Sequence, residues 1–267
     1  MRATRFVCFI SICLAALIGN LSAQESTTQP ATAVKDPQAL SIINQSLAAV
    51  GGAAAIEAIQ DYTGTGTVSY YWGDGEQGSV TVKGKGTGDF RVDAVLPEGS
   101  RTWAVSNGAG FVSDADGDTK STPYQNAINL GSLTLPYLFL ANTLQDPSSD
   151  IAYIGLESHN GVQVEHVQTH EVTSPDYNGM FASLTKRDFY FDSGSSRLLF
   201  ERDSTHPSNS ATVDYPREVR FSDYQQVSGV WAPFLIEEFV NNQPTETIQL
   251  DQLSFNSGLQ ETAFEQQ

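Results

Sequence analysis

Cysteine is almost absent from this sequence. Its two copies, Cys8 and Cys13, both lie within the first 23 residues. If that segment is removed, no thiol remains, which excludes disulfides, thiolate metal sites and a cysteine nucleophile. The remaining chain of roughly 240 residues is long enough to bury a sizeable hydrophobic core without such cross-links.

Basic residues are also scarce. The chain has 14 Lys and Arg residues against 31 Asp and Glu residues, and its net charge is −17. A surface this acidic repels phosphate backbones and anionic lipid headgroups, so nucleic acid is excluded as a partner. A cationic partner stays open, although solubility alone also explains the charge.

The sequence lacks the common catalytic motifs: a Gly-x-Ser-x-Gly elbow, a His-Glu-x-x-His pair and a phosphate-binding loop. The glycine-rich residues 84–88 lie between strands and open no helix, so the context of a nucleotide site is missing. Glu237 and Glu238 are adjacent on a strand and should point to opposite faces. We therefore expect no cofactor and no enzyme activity, although acidic and histidine side chains from distant segments could still converge in space.

Two patterns that suggest metal sites fail on spacing. Residues 114–118 are rich in aspartate, but the glycine and the closing glutamate of a calcium loop are not in place, which favours a turn between two strands. His166 and His170 have a zinc-like spacing, yet on a strand their Cα atoms would lie about 13 Å apart. We expect no bound metal.

The N-terminus predicts export. Residues 1–23 form a secretory signal peptide, with Arg2 and Arg5 before an apolar run that is too short to cross a membrane comfortably. Residues 24–35 are polar and without periodicity, which predicts a disordered linker. Residues 36–267 then form a single domain, located in the periplasm or secreted, with no transmembrane segment in the mature chain.

Helices are predicted at the start of this domain. Asp36-Pro37 is a helix start, with a capping aspartate followed by proline. The next apolar residues recur at helical spacing and form one stripe: Leu40, Ile43, Leu47 and Val50. The stripe fits either plain packing across a sheet or a lid over a cavity, with Gly51-Gly52 as its hinge. Ile56 and Ile59 then share one face of a second short helix.

The most apolar local cluster lies in the middle of the chain. Residues 136–144 predict a short helix that ends before Asp146-Pro147. Leu130, Leu133 and Leu135 add to its apolar surface. This helix either covers the core or forms one wall of an apolar ligand pocket, and the pattern favours neither.

Strands dominate elsewhere. From Tyr62 onward apolar and polar residues alternate, and turn residues recur at regular intervals, which indicates an antiparallel all-β meander. Residues 230–236 are too apolar and β-prone for a loop. Because Pro233 lacks an N–H group, this strand is predicted to lie at an edge or a bulge there.

The last strands carry a family resemblance. One run, Asp-Tyr-x-x-Val-x-Gly-Val-x-x-Pro, extends from Asp223 to Pro233, and a second, Asn-x-x-Leu-x-x-x-x-Phe, extends from Asn256 to Phe264. With the Ala- and Gly-rich residues 48–56, they resemble bacterial envelope proteins related to the Lol-type (LolA/LolB-like) outer-membrane lipoprotein carriers. The resemblance implies a mainly β fold, a curved antiparallel half-barrel of about 10–11 strands with N-terminal and central helices over its concave face.

Two functions fit this fold. In the first, a non-catalytic, monomeric carrier or sensor binds a lipid, acyl chain or lipoprotein in an apolar cavity. Inward apolar side chains of successive strands and the central helix would line it: Tyr70, Trp72, Phe90, Val92, Trp103, Phe111, Leu138 and Phe139. In the second, the core is filled, no small ligand binds, and the protein is a structural or protein-interaction module of the envelope.

Overall fold

The computed structural model describes residues 32–106, 108–128, 134–174 and 176–266. The predicted signal peptide, most of the predicted linker, and Leu130 and Leu133 lie outside these residues. Within them are the helices α1 (Pro37–Ala49), α2 (Ala53–Glu57), α3 (Tyr124–Ala127), α4 (Pro136–Gln145) and α5 (Met180–Leu184), and the 3-10 segments Tyr177–Gly179 and Glu261–Phe264.

The described strands form one open antiparallel sheet of 13 strands. They are β1 (Asp61–Tyr70), β2 (Glu76–Lys85), β3 (Asp89–Leu96), β4 (Gly99–Ser106), β5 (Ala109–Ser113), β6 (Thr119–Thr122), β7 (Ser149–His159), β8 (Val162–Glu171), β9 (Arg187–Asp192), β10 (Leu198–Thr205), β11 (Tyr215–Val227), β12 (Val230–Val240) and β13 (Gln243–Phe255). The predicted mainly β class is confirmed, with more strands than expected. One reason is β6, which has no apolar residue and hence no alternation to mark it.

The strand order explains where the helices lie. The order across the sheet is β6-β5-β4-β3-β2-β1-β13-β12-β11-β10-β9-β8-β7, so the two edge strands, β6 and β7, are consecutive in the chain. The connection between them must pass from one edge of the sheet to the other, and it carries α3 and α4. The central apolar helix is therefore placed across the sheet by topology.

One hydrophobic core joins α1, α2 and α4 to a single face of the sheet, which we call the inner face. Ile43 and Leu47 of the predicted α1 stripe are fully buried in this core, as is Ile56 of α2. Leu40 is only partly buried, whereas Ile42 is buried, so the apolar stripe of α1 is rotated slightly from the predicted one.

The connection between α1 and α2 is fixed on the sheet. Gly51 has a φ of +129°, and a Cβ atom there would lie 2.8 Å from the carbonyl oxygen of Gly229. Next to it, the amide of Trp231 donates to the carbonyl of Val50 (2.8 Å). These contacts favour plain packing for the α1 stripe over a lid that moves about Gly51.

Pro233 lies on a strand in the interior of the sheet, because β12 is flanked by β11 and β13. The pairing of β12 with β13 covers only Leu235 to Val240, however. Pro233 precedes this stretch, so its missing N–H group costs no hydrogen bond to β13. The strand is thus central, but locally it has the edge character that the proline indicated.

The domain begins slightly earlier than predicted. The amide of Val34 donates to Asp150 Oδ1 (2.7 Å), and Lys35 forms a parallel bridge with Ile151 of β7. The ammonium group of Lys35 also donates to the carbonyls of Thr143 and Leu144 at the end of α4, where a helix favours positive charge. Val34 and Lys35, assigned to the linker from sequence, are therefore part of the fold.

Asp61 anchors the segment that follows β13. Its carboxylate accepts hydrogen bonds from the amides of Ser257, Gly258 and Leu259 and from the Ser257 hydroxyl. Burial alone would raise the pKa of Asp61, but these hydrogen bonds together lower it. We expect Asp61→Ala to lower the free energy of unfolding by roughly 1–3 kcal/mol at pH 7, because three backbone amides lose their charged acceptor.

Urea denaturation measures this loss, with the exposed Asp251→Ala as control. Because the pKa of Asp61 is lowered by folding, its contribution is present above the unfolded-state pKa and disappears as the pH falls through the folded-state value. Equal effects of the two substitutions would contradict the anchoring role of Asp61.

Candidate functional site

Most of the residues predicted to line a cavity lie together in the core. Tyr70, Phe90, Val92 and Leu138 are buried, and Trp103 and Phe139 are partly buried and pack against the same core. The rings of Phe90 and Trp103 are 4.8 Å apart. A cavity of about 20 Å³ lies beside these rings, which is room for about one water molecule. Among the described residues, this part of the inner face is therefore filled by side chains.

Two of the predicted residues lie elsewhere. Phe111 of β5 pairs with Ala104, whereas Trp103 pairs with Val112. Cross-strand partners share a face, and Ala104 points away from the face of Trp103, so Phe111 is on the outer face. The prediction that Phe111 shares a face with Trp103 was wrong, because the register of the β4–β5 hairpin sets the phase of β5. Trp72 lies in the turn after β1, beside the Tyr70 ring (4.4 Å) but 46% exposed.

A larger opening lies between α3, α5 and the β10–β11 loop, and we call it the apolar compartment. Its volume is about 350 Å³, and Tyr124 and Met180 on its rim are 55% and 45% exposed. Its principal lining residues are Tyr124, Gln125, Met180, Phe181, Leu184 and Ala211. None of the residues predicted from the sequence to line a cavity belongs to this site, although Met180, Phe181 and Leu184 have the spacing of a short apolar helix face.

Local hydrogen bonds hold the two short helices in place. Asp176 accepts the amides of Phe181 and Ala182 at the start of α5. The side chain of Asn126 in α3 donates to the carbonyl of His206 and accepts the amide of the same residue, both at 2.8 Å. These contacts attach the walls of the compartment to the β8–β9 and β10–β11 connections.

A second opening, the polar compartment, adjoins the first, since Tyr124 and Phe181 line both. Its volume is about 170 Å³. It lies where β8 ends and β9 begins, and its remaining lining residues include Phe139, Thr143, Thr169, His170, Glu171, Thr185 and Arg187. The guanidinium carbon of Arg187 stacks 4.3 Å from the centre of the Phe139 ring. The two compartments share Tyr124 and Phe181 as walls, and the second has the larger share of polar lining. We refer to the two adjacent compartments together as the α3–α5 cleft.

A row of charged side chains crosses the inner face from β9 to β13. Arg187 Nη1 lies 3.9 Å from Glu201, Arg217 forms a close ion pair with Asp203, and Arg217 Nη1 lies 3.6 Å from Glu238. Glu238 in turn pairs in register with Glu246. The inward direction of Glu238 could have been predicted, because side chains alternate along a strand and Glu238 follows Phe234 and Ile236 at every second position. The predictions from the sequence above did not use this pattern.

The row contains two carboxyl groups that resist ionisation. Burial, with repulsion from Asp203, raises the pKa of Glu201 to about 7, although Arg187 and Arg217 oppose the shift. Burial and repulsion from Glu238 raise the pKa of Glu246 to about 8. Glu237, as predicted, is on the other face, where it pairs with Arg220 and Thr247.

The two histidines of the zinc-like pattern serve other contacts. His166 lies on the outer face, with Nδ1 2.7 Å from Glu157 and Nε2 2.8 Å from Asp188, and its ring stacks on Tyr190. Only an imidazolium can donate from both nitrogens. Although burial lowers the pKa of His166, the hydrogen bonds to Asp188 and Glu157 raise it overall. Within the described residues, no three His, Cys, Asp or Glu side chains are placed to hold a metal ion.

The chain has the fold of LolA-superfamily structures. It is similar to a LolA superfamily protein from Nitrosomonas europaea, with a TM-score of 0.54 and 10% identity over 88% of this chain and 99% of that chain. A domain assigned to outer-membrane lipoprotein sorting from Vibrio parahaemolyticus gives 0.51 and 13% identity over 85% of this chain and 96% of that chain. A DUF1329 family protein from Desulfovibrio piger gives a TM-score of 0.50 and 12% identity, over 85% of this chain and 97% of that chain.

At these identities the likeness is one of fold, which agrees with the fold that the resemblance implied, and it assigns no activity. No protein-family model and no curated protein matches the chain. None of the helices in the described ranges has the length and apolar character needed to cross a membrane.

Proposed function

We propose that this protein is an exported envelope protein that binds one acyl chain, as a free lipid or as part of a lipoprotein, in the α3–α5 cleft. The observation that carries the proposal is the apolar compartment. It opens to the surface, and its volume of about 350 Å³ is within the range of small-molecule sites, roughly 300–1,000 Å³. Exposed Tyr124 and Met180 at its rim are side chains that an acyl chain would cover.

The proposed ligand site differs from the one predicted from the sequence, which lay among the inward side chains of the strands. Phe139 lines the cleft, whereas Phe90 and Trp103 border the small cavity of about 20 Å³. An acyl chain in the space beside Phe90 and Trp103 would require the core to open, while the cleft is open already. We infer a carrier or sensor that acts as a monomer without chemistry on its ligand, in keeping with the lack of catalytic motifs.

The alternative is an envelope module that binds other proteins and holds no small ligand. The filled inner face around Phe90 and Val92, both 0% exposed, favours this alternative for that part of the fold. It predicts that protein purified without detergent carries no lipid. Organic extraction followed by mass spectrometry distinguishes the two functions directly.

Met180→Asp tests the location of the acyl chain. A charge on the rim of the apolar compartment should weaken binding of a fluorescent fatty acid about tenfold, because the carboxylate would lose water when the chain enters. The matched control is Leu156→Asp on β7, which is 55% exposed and does not line the cleft. We expect its affinity to equal that of the wild type.

Both variants should keep the far-ultraviolet circular dichroism of the sheet, since both side chains are exposed. Binding that is weakened equally by the two substitutions would place the acyl chain elsewhere. Absence of fatty-acid binding by the wild type, together with an empty lipid extract, would contradict the carrier function and leave the interaction module.

A further inference from the structure

We propose that the polar compartment binds the anionic head, a carboxylate or a phosphate monoester, of a single-chain amphiphile whose tail occupies the apolar compartment. This inference rests on the proposed function and adds to it the orientation and the chemical class of the ligand. The head would lie between Thr169 and Arg187, and the tail would extend past Phe181 toward Met180.

The first support is a buried hydroxyl group. Thr169 is 2% exposed and lines the polar compartment, and its Oγ1 has no hydrogen-bond partner within the described part of the chain. An unpaired buried hydroxyl costs free energy, so such a group calls for an explanation. The hydroxyls of Thr143 and Thr185, which line the same compartment, both donate to backbone carbonyls at 2.9 Å.

The second support is the position of Arg187. Thr169 and Arg187 are cross-strand partners of β8 and β9, so their side chains share the inner face side by side. Arg187 is also 2% exposed, and a guanidinium keeps its positive charge even when buried. A hydroxyl and a guanidinium adjacent to each other are donors that suit one anionic oxygen group.

The acidic residues around this compartment do not cancel that preference. Glu201 Oε1 lies 3.9 Å from Arg187, but the raised pKa of Glu201, about 7, reduces the negative charge of this carboxyl group near neutral pH. Asp150 lies 3.9 Å from His170. Burial and repulsion from Asp146 raise the pKa of Glu171, although Arg187 opposes the shift. An arriving anion would raise that pKa further and favour proton uptake by Glu171, which removes the repulsion. The acidic exterior repels anionic membranes, whereas Arg187 places a positive charge on the wall of the compartment.

Isothermal titration with decanoate, decyl phosphate and decanol tests the inference on the full mature chain. We expect at least one anionic probe to bind about tenfold more tightly than decanol, and the tighter anion identifies a carboxylate or a phosphate head.

Thr169→Val should lower the affinity for the anionic probe about tenfold and leave the affinity for decanol unchanged. The melting temperature should stay equal or rise, since no paired hydroxyl is lost. Thr169→Ser should restore anion binding.

Thr143→Val is the matched control, because Thr143 is equally buried and lines the same compartment with a paired hydroxyl. It should not alter the preference for anions over decanol. If decanol binds as tightly as both anions, or if both valine variants lower all three affinities equally, the head site is refuted while the acyl-binding function stands. If no probe binds, the proposed function fails and the head site fails with it.

Discussion

Arg217→Met is expected to lower the free energy of unfolding by roughly 3–5 kcal/mol, since it leaves a buried carboxylate without its partner. The Arg217 side chain is 4% exposed and that of Asp203 is 2% exposed. Arg217 Nε donates to Asp203 Oδ1 at 2.7 Å, and a second nitrogen of the guanidinium donates to Oδ2. Such a bidentate pair contributes strongly only while both charges are present. Chemical denaturation at pH 7 measures the loss.

A matched control lies on the same strand. Arg220 of β11 is 46% exposed and pairs with Glu218 on the outer face, so Arg220→Met should cost less than about 1 kcal/mol. The double variant Arg217→Met with Asp203→Leu should recover most of the stability, because a buried pair can be replaced by apolar groups at little cost. A double variant no more stable than Arg217→Met alone would contradict this explanation.

Raising the pH from 5 to 9 is expected to destabilise the protein, by roughly 4 kcal/mol through Glu246 alone. Burial and the adjacent Glu238 raise the pKa of Glu246 from 4.5 to about 8. Between these values the folded chain holds a proton that the unfolded chain has lost, so stability falls as the pH rises through this window. Glu246→Gln cannot ionise and should be more stable than the wild type at pH 9, and nearly equal to it at pH 5.

Other groups near this pair also titrate or carry charge. Tyr70 pairs with Glu246 across β1 and β13, Arg217 lies on the far side of Glu238, and Arg101 pairs with Glu76 beyond Tyr70. The pKa of His166 is also raised, so its contribution to stability likewise decreases as the pH increases. The control is therefore Glu237→Gln on the opposite face, which keeps all of these groups and should follow the wild-type pH profile. A Glu246→Gln profile parallel to that of the wild type would refute the buried-proton explanation.

Local chemistry of the sequence determined the elements of this protein. The proline start and apolar run placed α4 correctly, alternation placed most strands, and the aspartates at residues 114–118 form the expected turn between β5 and β6. Opposite directions for Glu237 and Glu238 also followed from period two alone. These features depend on neighbours within a few residues, which is the range over which propensity and periodicity carry information.

Tertiary structure alone decided how these elements face one another. One of the two partners of β1 is β13, nearly two hundred residues away, and the edges of the sheet are two strands consecutive in the chain. Register across the β4–β5 hairpin turned Phe111 to the outer face. The cleft combines α3, α4, α5 and the junction of β8 with β9, and it depends on the pairing of Thr169 with Arg187. Long-range pairing and register depend on the apolar surface that all strands bury together, so they cannot be predicted from any one segment of the sequence.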